Sequence, residues 1–143
     1  WGRYEYHCSM TTCFKIRTPL HGTQEDIEML QDMIRIWRRA APHMISGDFV
    51  LLADSNGSPQ RYFSMQFDVP GQEAGFFQVI RNQQCAEQVF TVFPLLRPDV
   101  TYRLENSESG EHLVLLGADL LQGFTVRIPK KSGVIWFYER CEQ

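Results

Sequence analysis

No stretch of this sequence approaches the roughly 20 consecutive apolar residues that span a bilayer, and no segment repeats or falls to low complexity. These absences exclude a membrane-spanning helix, a fibrous array and a disordered tail. Positive charge is also scarce. Fourteen Lys and Arg against 17 Asp and Glu leave a net charge of -3, whereas a nucleic-acid surface needs clustered cations to displace counterions. The nearest cluster, Arg35, Arg38 and Arg39, sits where it would meet the negative end of a helix dipole. Neither a nucleic acid nor a membrane is therefore expected as a partner. Cys8, Cys13, Cys85 and Cys141 include no Cys-x-x-Cys pair, and His7, His21, His43 and His112 fall at no metal-ligand spacing. Free thiols in a reducing compartment are the expectation, which favours the cytoplasm. There is no Gly-x-Ser-x-Gly elbow, no phosphate-cradling loop and no dinucleotide fingerprint, so neither a metal nor a cofactor is expected. The chain opens Trp1-Gly2-Arg3-Tyr4 without an initiator Met or a signal peptide, as a processed or truncated piece would.

What is present is one globular chain of 143 residues with a change of period in its middle. Trp1 to Arg17, rich in aromatic and β-branched residues, reads as a strand, a loop and a short extended piece. Pro19 and Gly22 mark a loop. Thr23, with Asp26 three residues on, opens a helix by an acidic capping box. Ile27, Leu30, Met33, Ile34 and Trp37 form its apolar stripe, with Met29 and Ile36 to one side. Pro42 should end it near Ala40.

After Gly47 the alternation is that of strands. Runs at 49–53, 62–68, 75–82, 88–93, 100–105, 112–116, 124–128 and 134–139 are separated by turn signals every eight to twelve residues, and 117–123 makes a compact loop or single helical turn. The runs 75–82 and 88–93 read as a hairpin-like pair around Gln83 to Ala86. About eight short strands define an antiparallel β-sandwich.

Little in this pattern carries chemistry. His7, Cys8 and Ser9 are adjacent, and neighbours on a strand point to opposite faces, so they make no relay. Asp48 and Asp68 stand at strand ends, where Asp satisfies turn backbone, and Tyr4 and Tyr62 are aromatics able to stack on a sugar or pack at an interface.

Four segments taken in order, IWRRAAPHMISGDFVLL, YFSMQFDVP, LRPDVTYRLE and LLGADLLQGFTVRIP, resemble the C-terminal end of the family 36 α-galactosidase-type glycoside hydrolases. The resemblance implies that residues 1–46 are the last β/α unit of a catalytic (β/α)8 barrel and 47–143 a C-terminal β-sandwich. The fold class is then mainly β, an antiparallel sandwich of about eight strands preceded by a strand–helix remnant of the barrel. The nucleophile and acid/base aspartates would lie on earlier strands, a pair held about 5–5.5 Å apart in a retaining enzyme, leaving no catalytic residue in this chain. Tyr6 to Met10 would match the last barrel strand and its loop. Barrel sites lie at strand C-termini, so Cys8, Ser9 and Met10 become the candidate sugar-contacting residues. The implied partners are the rest of the enzyme and a carbohydrate substrate. Uncovered apolar faces on 1–14 and on the helix predict self-association into an oligomer. The competing expectation is a free-standing β-sandwich that binds carbohydrate or another protein through exposed aromatics.

Overall fold

A computed structural model describes residues 1–17 and 22–142. Two helices, α1 (Arg3–Cys8) and α2 (Gln24–Ser46), precede eight strands: β1 (Asp48–Ala53), β2 (Tyr62–Val69), β3 (Ala74–Arg81), β4 (Val89–Val92), β5 (Thr101–Asn106), β6 (His112–Leu116), β7 (Phe124–Arg127) and β8 (Ser132–Arg140). A single helical turn, α3 (Gly117–Leu121), lies between β6 and β7. All strand pairs are antiparallel. Six strands form one sheet in the order β1-β2-β3-β8-β5-β6, and β4 with β7 forms a second.

Each face of the large sheet has its own core. Phe77, Val79, Tyr102, Leu104, Val134 and Trp136 point to one side and close against Phe90, Val92, Phe124 and Val126 of the small sheet. Met65, Phe76, Ile135 and Phe137 point to the other, where α1 and α2 cover them with Tyr6, Met10, Met33, Ile36, Ala40 and Met44. Burying a large apolar side chain is worth roughly 1.5–3 kcal/mol, so each layer has ample reason to stay. The pleat of β2 feeds both: Phe63, Met65 and Phe67 meet the helices, while Ser64 and Gln66 are buried on the sandwich side.

Four expectations need correction. Trp1 to Arg17 holds no strand: Arg3–Cys8 is helical, and 9–17 is irregular chain. Tyr6 and Met10, four residues apart, are both buried in the helix–sheet core, and Glu5 receives the Gly2 N–H at 2.9 Å, so burial and an N-terminal hydrogen bond override the β-rich composition. The apolar face of this segment is consequently covered by the sheet.

The helix of the capping box begins as expected, Thr23 Oγ1 accepting from the Asp26 N–H at 3.2 Å and Asp26 from the Thr23 N–H at 2.9 Å. It does not stop near Ala40. Pro42 withholds one N–H from the helix, yet Ala41 and Met44 bury against the sheet on either side of it and the Gly47 N–H closes the last turn on His43 O at 2.8 Å. The packing stripe runs through Met33, Ile36, Ala40 and Met44 and leaves Ile27 exposed. The loop at Pro19 lies outside the described residues.

Finally, β3 and β4 are not a hairpin. β3 pairs with β2 and β8, whereas β4 crosses to β7. The buried Arg81 makes that crossing: its guanidinium donates to Cys85 O at 3.0 and 3.1 Å and to Ile128 O at 3.1 Å, tying the connection between the sheets to the end of β7.

Candidate functional site

Helix α1 separates the two clefts that hold the sequence candidates. On one side, a cleft of about 570 Å³ opens between α1, the β5–β6 turn and the β7–β8 loop, with Arg3, Tyr4, Glu5, His7, Glu108 and Lys131 on its walls. On the other, a cleft of about 340 Å³ is lined by Cys8, Met10, Phe63, Gln78, Ile80 and Asn82. His7 is the wall common to both.

Only 1% of His7 is exposed, and both of its ring nitrogens are engaged. Gln78 Nε2 donates to the His7 carbonyl at 3.0 Å, which orients the amide, and the same nitrogen donates to His7 Nδ1 at 3.2 Å. Nδ1 is therefore the acceptor, and Nε2 carries the proton toward Glu108 Oε1. Gln78 Oε1 is left without a partner. Glu108 is further held by Arg3, whose Nη1 reaches Asp32 of α2 at 2.6 Å, and Lys131 pairs with Glu5 at 3.3 Å. A Cβ on Gly133 would lie 2.7 Å from His7 Cγ, so only glycine lets the ring seat against β8. The cluster is a fastening for α1: with neither nitrogen free, His7 has no lone pair to offer a nucleophile.

The protonation states agree. Burial, with the neighbouring Cys8 and Glu5, pushes the Tyr4 hydroxyl up to about 12. Burial also raises the Cys8 thiol, against a smaller opposing hydrogen bond from Tyr4, which keeps it from acting as a thiolate. For Glu5, burial acts upward, but hydrogen bonds from the Gly2 and Glu5 backbone and the Lys131 charge outweigh it and hold the carboxyl below its usual range.

Of the three sugar-contacting candidates, Cys8 and Met10 share the smaller cleft, and Met10 is 3% exposed within the helix–sheet core. Ser9 caps α1, its N–H donating to Glu5 O and Tyr6 O, both at 3.1 Å, and it is not on the cleft wall. Tyr62 leans on Phe90 with ring centres 4.4 Å apart, at the edge of the sandwich core. Asp68 accepts from the Tyr138 hydroxyl at 2.7 Å in place of turn backbone, and Tyr138 in turn accepts from Gln66 at 2.8 Å. Burial raises the Asp68 carboxyl, with Tyr138 opposing and Asp48 and Glu73 adding to it. Among the described residues no three His, Cys, Asp or Glu side chains gather as a metal-holding group, and all four cysteines are free thiols. Among the described residues no helix is long and apolar enough to cross a membrane.

Glu108, Gln78 and Asp32 were not among the sequence candidates. Arg3/His7 and Tyr6/Met10, each four apart, are the local signal that α1 is a helix with one polar and one buried row; nothing local points to partners about 70 to 100 residues away.

The layers define a class, an antiparallel β-sandwich entered through a long helix that packs on its outer face. Solved structures similar to it include family 36 α-galactosidases. The chain is similar to the galactosidase domain of the α-galactosidase–sucrose kinase AgaSK (TM-score 0.66, 15% identity, 86% of this chain and 17% of that one). It is similar also to the GH36 α-galactosidase AgaA of Geobacillus stearothermophilus (0.67, 13%, 84% and 16%) and to the α-galactosidase of Lactobacillus brevis (0.67, 11%, 85% and 17%). At these identities the likeness establishes the fold, which matches the C-terminal domain of those enzymes, and the chain spans only 16–17% of their length. No family model and no curated protein matches the sequence.

Proposed function

We propose that this chain is the C-terminal part of a retaining α-galactosidase-like glycoside hydrolase, supporting a catalytic barrel that lies outside it and inactive alone. The observation that carries the reading is the match over 84–86% of the chain to about a sixth of each α-galactosidase. That match is long enough to take in both the sandwich and the helix leading into it. In this reading residues 1–46 belong to the last β/α unit and 47–143 to the sandwich, the substrate is a carbohydrate, and the enzyme works in the cytoplasm. The exposed Trp1 and Ile27 are side chains a barrel would cover. Cys8 and Met10 remain the residues closest to a sugar pocket. Their cleft offers an apolar floor with a few polar groups, the usual character of a small-molecule site.

The test is hydrolysis of an aryl α-galactoside by the complete reading-frame product and by the 143-residue chain. The full product is expected to release galactose with the α-configuration kept, and the chain to release none. Turnover by the chain alone, or inversion by the full product, overturns the reading.

A further inference from the structure

The outer strand β1 ends the large sheet with a bare edge. Among the described residues it pairs only with β2, so the backbone donors and acceptors along its far side lack strand partners. Such a row is satisfied by one kind of occupant, another extended strand. Phe49 and Leu51, 55% and 47% exposed, stand opposite Phe67 and Met65 on the helix-covered face, beside α2 rather than beneath it. Ile45, 73% exposed, adds to this apolar surface at the end of α2. Natural edges are usually guarded by Lys, Pro or short length, whereas β1 is six residues long with Asp48 at its start as the only charge.

We propose that β1 pairs antiparallel with β1 of a second copy about a two-fold axis at Val50, joining two large sheets into one. The register follows from the side chains, because residues that meet across the pair must share a face. Centred on Val50, Phe49 of each copy faces Leu51 of the other, the reciprocal contact an isologous interface requires, and both exposed side chains are covered at once. Asp48 then faces Leu52 of the second copy, and the two Asp48 positions are four residues apart, roughly 13 Å at about 3.3 Å per residue. That exceeds the screening length of about 8 Å at physiological salt. Moving the axis to Phe49 would halve the separation and set Leu51 against Gly47; moving it to Leu51 would set Phe49 against Ala53, beyond the register break between Leu51 and Ala53. The other outer strand, β6, exposes Val114 and Leu116 on the same face, but β1 on β6 is a heterologous contact that does not close at two copies. The pairing rests on the strand edge alone and is expected in the complete reading-frame product as well; a dimer of the 143-residue chain that the complete product does not form overturns it.

The test is sedimentation of the 143-residue chain together with a cross-link. The wild type is expected to sediment with the mass of two chains, Leu51→Lys with the mass of one and unchanged far-UV circular dichroism, and Val114→Lys with the mass of two. Val50→Cys, in a Cys8→Ser, Cys13→Ser, Cys141→Ser background, is expected to form an inter-chain disulfide under mild oxidation, because directly opposed Cβ atoms lie about 4.5–5.5 Å apart. This last readout does not depend on the lysine variants folding. A wild-type monomer at the highest soluble concentration overturns the proposal, as does a dimer dissolved by Val114→Lys and spared by Leu51→Lys; a dimer without the Val50→Cys cross-link overturns the register.

Discussion

The fastening of α1 predicts a measurable coupling between His7 and Glu108. His7→Ala removes a buried ring and its hydrogen bond to the carboxylate. Neither former partner is stranded, since Gln78 keeps the His7 carbonyl at 3.0 Å and Glu108 keeps Arg3 at 2.6 Å. The cost is therefore the lost bond to a charged group, about 1.5–3 kcal/mol, with a further contribution from the space left beside Gly133. Glu108→Ala loses that bond and the Arg3 pair, whose surface exposure limits it to about 0–1 kcal/mol. In the double variant the shared bond can be lost only once. Urea unfolding of the wild type, both single variants and the double should give a coupling of about 1.5–3 kcal/mol. Hydrogen exchange should place the loss first at 3–10, where α1 opens from a sandwich that stays folded. Additivity within about 0.5 kcal/mol would refute the claim that this pair holds the helix down.

Other changes probe other joints. Arg81→Met should destabilise by about 3 kcal/mol or more, because the carbonyls of Cys85 and Ile128 lose a buried donor; a loss under about 1 kcal/mol in urea titration contradicts that role. Burial, followed by Arg39, lowers the His43 imidazole, with Asp68 acting the other way. The unfolded chain thus binds the proton more readily, and stability should rise as pH climbs through about 6.5, the unfolded histidine value. His43→Gln should flatten that rise between pH 5 and 7, and an unchanged slope in the variant refutes it. Pro42→Ala restores a helical N–H at an exposed position and should raise the unfolding free energy by about 2–2.5 kcal/mol, the helix-interior penalty of about 3 kcal/mol less the unfolded-state entropy of about 0.4–1 kcal/mol. No gain in thermal unfolding would show that Pro42 costs the helix nothing where it stands.

The parts of the fold legible in sequence are those written by local chemistry. Thr23 and Asp26 mark the start of α2 because a cap is made within three residues, and Val100, Tyr102 and Leu104 alternate because one face of the large sheet is buried against the small one. What was missed depends on distant groups. The seating of Arg3–Cys8 on the sheet is decided by the burial of Tyr6 and by Gln78 and Glu108, the passage of α2 through Pro42 by the sheet under Ala41 and Met44, and the crossing of β4 to β7 is tied by one arginine side chain. The candidate site divided the same way: Cys8 and Met10 reach one cleft, but Ser9 serves as a helix cap, and the carboxylate that fixes the neighbouring histidine lies in a turn of the sandwich.

The catalytic chemistry proposed for this protein lies outside these 143 residues. The most direct measurement is the nucleotide sequence of the source reading frame immediately upstream of Trp1. Several successive βα units are expected there, with two aspartates at strand C-terminal ends. A stop codon, or an unrelated domain in their place, would contradict it.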